Sequence, residues 1–155
     1  EVNETPEIYD LLELAKSCLK NEQIAQAIDI CNEIMRSEPE NGAAFLLIGQ
    51  AKMILGQQGE VFENLQRATQ YSPDDQEAWL LLSAAYLRSD HKKQAIETLY
   101  NARKENPNSS KILFKLIEEL LMDGNIVEGL NIFNDINNLK LETQEESTGI
   151  KNHND

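Results

Sequence analysis

Few side chains in this chain could carry bond chemistry, and their spacing denies it to them. His91 and His153 could serve as base or metal ligand, yet neither falls in a His-Glu-x-x-His pattern or a cysteine-histidine ligand spacing. Asp74-Asp75 could supply half of a metal site, but directly after Pro73 the pair reads as the cap of a following helix. Glu118-Glu119 leaves one helix in two directions and cannot share a proton across a site. Cys18 and Cys31 recur on apolar columns, where a thiol behaves as a small hydrophobic side chain, and a disulfide would need their Cα atoms within about 7 Å. Buried free thiols are expected. No Gly-rich phosphate loop and no serine set as a nucleophile elbow occurs. The expectation is a chain that is not an enzyme, with no catalytic residue, no cofactor and no metal.

The informative pattern is a register. Pro39, Pro73 and Pro107 stand 34 residues apart, and residues of like character recur at that interval beside them. One column holds Leu11, Phe45, Trp79 and Leu113, and the column three further on holds Leu14, Ile48, Leu82 and Leu116. Small residues follow at Ala15, Gly49 and Ser83. A second series runs through Ala27, Val61, Ala95 and Gly129, then Cys31, Leu65, Leu99 and Phe133, then Ile34, Ala68, Ala102 and Ile136. Spacings of three, four and seven are helical. Between the two series stand Glu22, Gly56, Asp90 and Gly124, where a left-handed residue can close one helix and open the next. Each row is therefore two antiparallel helices, and a fixed period of this size predicts a stack of units that bury their apolar faces on their neighbours.

In its columns the chain resembles the tetratricopeptide repeat (TPR) family. The third row matches best, with Trp79, Leu82, Tyr86, Ala95, Leu99, Ala102 and Pro107. The second has Phe45, Ile48, Gly49, Ala68 and Pro73, but Lys52 where a second aromatic is expected and Val61 where a small residue is expected. The first carries Leu11, Leu14, Ala15, Cys18, Ala27 and Pro39, and the fourth has Leu141 in place of the proline. The fold so implied is all-α, a right-handed α-solenoid of antiparallel helix pairs. Its domain spans residues 8–141, in repeats 8–41, 42–75, 76–109 and 110–141, between an acidic segment 1–7 and a polar, flexible tail 142–155.

The resemblance places the first helix of each pair on a concave side. The stripe facing that side reads Leu12, Leu46, Leu80 and Phe114, then Leu19, Met53, Leu87 and Leu121 seven residues on, with Lys16, Gln50, Ala84 and Glu118 between them. Either these residues are core, half-covered by adjacent rows, or they line a binding groove. The other columns already fill the core, so eight more large residues favour a groove for a hydrophobic or amphipathic peptide or helix. The expected function is a protein-interaction module acting as scaffold or assembly factor. Alternatives are a secretion-type chaperone that shields hydrophobic segments, or a self-associating structural module. TPR domains that grip a chaperone's C-terminal carboxylate need basic and amide side chains where this chain has Leu12, Lys16, Leu47, Glu77 and Leu81, so that clamp is not expected.

Charge narrows the partners further. The 155 residues hold 14 basic and 27 acidic side chains, a net charge of −13 that repels nucleic acid. No apolar run approaches a bilayer span. Free thiols favour a reducing, cytoplasmic compartment, while a start at Glu1 leaves room for a removed leader or membrane anchor. The fourth row is strongly apolar and the sequence after Leu141 is polar, which predicts an uncovered edge and a homodimer through it, broken by a charge at Phe133 or Ile132, whichever is exposed.

Overall fold

The computed structural model describes residues 7–148, with side chains over residues 7–137. Eight helices follow one another: α1 (Ile8–Lys20), α2 (Ile24–Ser37), α3 (Gly42–Ile54), α4 (Gln58–Tyr71), α5 (Gln76–Arg88), α6 (Lys92–Glu105), α7 (Ser110–Met122) and α8 (Ile126–Thr148). They form two compact units that divide between Ser109 and Ser110. The first holds three helix pairs and the second holds one. This is an all-α helical repeat.

The turns within the pairs follow the sequence register. Glu22, Gly56, Asp90 and Gly124 all have positive φ, at 61°, 72°, 60° and 82°. Glycine adopts that conformation without strain, whereas Glu22 and Asp90 hold it against a steric penalty. The starts of α3 and α5 are set by side chains. Asn41 accepts a hydrogen bond from the Ala44 backbone N–H, and Asp75 accepts from those of Glu77 and Ala78. Asp75 is thus a helix cap, as the position after Pro73 predicted.

Two apolar clusters hold the first unit together. In one, Ala15, Cys18, Ala27, Cys31 and Ile34 pack with Ala44, Leu47 and Ile48. In the other, Phe45, Val61, Leu65 and Ala68 pack with Ala78, Leu82 and Ala85. Each cluster joins one helix pair to the first helix of the next, so no pair buries its core alone. Cys18 and Cys31 are buried free thiols. Gly49 is small of necessity, because a Cβ there would lie 2.6 Å from Leu65 Cδ2. Lys52, standing where an aromatic was expected, pairs instead with Glu60 at 2.7 Å.

Several expected core positions are not core. Leu14 is 48 % exposed and Phe133 41 % exposed, while Ile132 beside it is buried. Trp79 is only half-buried, and its indole N–H donates to the Pro73 carbonyl at 2.8 Å, which also accepts from the Asn106 side chain. Helix α8 runs to Thr148 and so includes residues 142–148 of the segment expected as a polar, flexible tail. Residues 1–6 of the acidic segment and 149–155 of the tail lie outside the described residues.

Candidate functional site

The first helices of the first three pairs, α1, α3 and α5, line a cleft of about 400 Å³. Leu19, Ala43, Leu46 and Leu47 give it an apolar lining. Lys16 and Lys20 enter from α1, while Asp75 and Glu77 enter from the start of α5. Helical spacing of four puts the two lysines on one side of α1, and the N-cap role of Asp75 fixes the other pair at the N-terminus of α5. Gln50 spans between the helices, its amide donating to Glu77 Oε1 at 2.9 Å. Cations on one wall and carboxylates on another give the cleft a direction.

Lys16 is itself held at the rim. Its ammonium donates to Glu13 Oε1 at 2.7 Å, and that hydrogen bond raises its pKa above the ordinary lysine value. The group therefore stays charged across the physiological range. An exposed pair of this kind contributes little to stability, about 0–1 kcal/mol, and so leaves Lys16 available to a ligand at small cost.

Of the residues assigned to a groove, Lys16, Leu19, Leu46 and Gln50 line this cleft. Leu46 departs from the expectation of a free contact residue, since it is buried with Phe45 and Val61 in the second cluster and shows only its edge. Leu12, Met53, Leu80, Ala84 and Leu87 are half-buried along the same three helices. Phe114, Glu118 and Leu121 belong to the second unit and are exposed there. Glu118 and its neighbour Glu119 do converge after all, both pairing with Lys115 at 2.8 Å.

Lys20, Ala43 and Asp75 were not assigned to the groove from sequence. Two signals were present: Lys20 stands one turn after Lys16, and Asp75 caps a helix whose N-terminus opens on the cleft. Leu47 and Glu77, at two of the positions where a carboxylate clamp would need basic or amide side chains, both line the cleft: Glu77 repels a carboxylate and Leu47 offers it no donor. Among the described residues, no cluster of histidine, cysteine and carboxylate side chains could hold a metal. None of the described helices is long and apolar enough to cross a membrane.

The sequence matches the model of the ChAPs, the Chs5p-Arf1p-binding proteins, over residues 2–155. No curated protein matches it. The structure is similar to that of MamA, with a TM-score of 0.67 at 18 % identity over 92 % of this chain and 81 % of that one. It is also similar to YrrB, a TPR protein with an unusual peptide-binding site, with a TM-score of 0.65 at 15 % identity over 83 % of this chain and 66 % of that one. The first TPR of Spaghetti (RPAP3), bound to the HSP90 peptide SRMEEVD, gives 0.62 at 16 % identity over 76 % and 93 %. Likeness at these identities establishes the TPR fold.

Proposed function

Because the chain belongs to the ChAPs family, a family of TPR-like interaction scaffolds, we propose that it is a noncatalytic binding module whose cleft between α1, α3 and α5 captures a segment of a protein partner. The observation that carries this reading is the combination of an apolar lining with lysines on α1 and carboxylates on α5. Such a cleft suits a segment with an apolar anchor over Leu19, Leu46 and Leu47, an acidic side toward Lys16 and Lys20, and a basic side toward Glu77. Opposed charges fix the polarity of the bound segment more than they add affinity. Chs5p and Arf1p, named in the family's description, are the first partners to test.

The test is a direct binding measurement with each of the two proteins. Lys16 and Lys20 are exposed, so changing both to glutamate should leave melting within about 0.5 kcal/mol of the parent. The same change should raise Kd about tenfold or more, since it reverses two charges at one wall. Unchanged affinity for a partner that does bind would place its contact elsewhere and defeat the cleft reading. Leu46→Glu is the wrong probe, because its burial makes it a test of folding.

A further inference from the structure

The cleft between α1, α3 and α5 carries the charges of Lys16, Lys20, Asp75 and Glu77, and they differ in what already holds them. Lys16 donates to Glu13 Oε1 at 2.7 Å. Its pKa is raised first by that hydrogen bond and more weakly by the charge of Glu77, so two carboxylates act on its ammonium. Glu77 Oε1 accepts from the Gln50 amide at 2.9 Å. Asp75 Oδ1 accepts from the backbone N–H groups of Glu77 and Ala78 at 2.9 and 3.3 Å, which ties that carboxylate to the start of α5.

Lys20 is the exception. Among the described residues its ammonium has neither a hydrogen bond nor an ion pair. It ends α1, where the negative end of the helix dipole favours a cation, and it adjoins Leu19 of the apolar lining. A carboxylate brought to Lys16 meets the like charges of Glu13 and Glu77, whereas one brought to Lys20 displaces only water. An ammonium without a protein partner beside apolar surface gives an incoming carboxylate its strongest available hydrogen bond in the cleft.

Resting on the reading that this cleft binds a partner, we propose that Lys20 is its specificity-determining residue and that it selects a protein segment carrying an aspartate or glutamate close to a large apolar side chain. The apolar side chain lies over Leu19, Leu46 and Leu47, and the carboxylate reaches Lys20 at the end of α1. The reverse placement sets the ligand's carboxylate against Asp75 and Glu77, which reject it. A basic group of the same segment must share Glu77 with the Gln50 amide, so it adds less than the acidic group does. Specificity thus rests unequally on the two walls, and on α1 unequally between its two lysines.

The probe is a display library of short random peptides, selected against the whole chain, with the selected peptides then titrated by calorimetry. An acidic residue close to a leucine, isoleucine, methionine or phenylalanine is expected in them. Lys20→Gln should raise their Kd about tenfold or more, and Lys16→Gln about threefold or less. Both lysines are exposed, so neither change should disturb the fold. In a Glu13→Gln background Lys16 loses its partner, and Lys16→Gln should then weaken binding about as much as Lys20→Gln does. A merely structural role for Lys20 would not produce that exchange. Equal effects of the two lysine variants in the parent, no gain in the weight of Lys16 after Glu13→Gln, selected peptides without an acidic residue, or no selected peptide would each overturn the proposal. Peptides indifferent to Lys16→Glu with Lys20→Glu would overturn the cleft reading along with it.

Discussion

Trp79 shows how one side chain can occupy its family column and still not be core. The column places it between the helices of its pair, yet its indole N–H is committed to the Pro73 carbonyl at 2.8 Å, which holds the ring toward the preceding turn. A fully buried aromatic costs about 3–5 kcal/mol on truncation to alanine, so a half-buried one should cost about 2 kcal/mol, measured by urea denaturation. Trp79→Phe, which keeps most of the ring and loses the donor, should cost about 1 kcal/mol. A loss of 4 kcal/mol or so for the alanine variant would mean that the ring is more enclosed than its contacts imply. Cys31 gives the contrasting case of a residue wholly within the core. Burial pushes its thiol up to about 12 from 9.0. The folded state thus favours the neutral thiol, and the sign follows: stability from this group is intact below pH 9 and declines as pH rises toward 12, while the unfolded chain ionises freely. Compared with Cys31→Ala, the parent should lose more stability over that window, as read by thermal melts at matched ionic strength. Equal slopes would show that the thiol titrates alike in both states.

At the scale of the helices, glycine substitution separates close packing from open surface. Gly49→Ala brings a Cβ to 2.6 Å from Cδ2 and 2.9 Å from Cγ of the fully buried Leu65, so that side chain must shift within the core. Overpacking costs about 1–3 kcal/mol, against a gain of about 1 kcal/mol in helix propensity, so the net change should be a loss of about 1 kcal/mol. Gly59→Ala, in α4 with nothing within 4 Å of the added carbon, should instead stabilise by about 0.5 kcal/mol or more. Opposite signs in denaturation midpoints check the assignment of which glycine is a contact. The periodicity made the pairs, their turns and these contacts legible, because each is set by local spacing that repeats: positive φ at Glu22 and Asp90 was readable from their place in the row, even without glycine. What it could not give was exposure. Leu14 and Phe133 share columns with buried residues, and column identity does not say which faces a neighbouring helix covers. The cleft was half legible for a related reason. Apolar spacing on α1 and α3 marked Leu19 and Leu46, but the charged walls arise from a helix terminus at Asp75 and from the end of α1 at Lys20, positions a stripe does not sample.

At the scale of the molecule, the same acidity has opposite consequences for folding and for association. A net charge of −13 sets like charges against one another in the compact state, and the repulsion is screened over a Debye length of about 10 Å at 0.1 M salt. Raising sodium chloride from low to physiological ionic strength should therefore increase the melting temperature. A basic partner segment meets that acidity as attraction, so its affinity should fall over the same salt range. The cleft differs from both, since its lysines and carboxylates face one another across an apolar floor, and a bound segment with a charge at each end gains from both walls. Reversing a single wall through Lys16→Glu and Lys20→Glu should flatten the salt dependence of partner binding there more than the same change at Lys93 and Lys104, which are exposed outside the cleft. The measurement is a set of titrations at several salt concentrations on the parent and the two double variants. Equal flattening by both double variants would indicate a response to the total charge of the molecule, with no local field at the cleft.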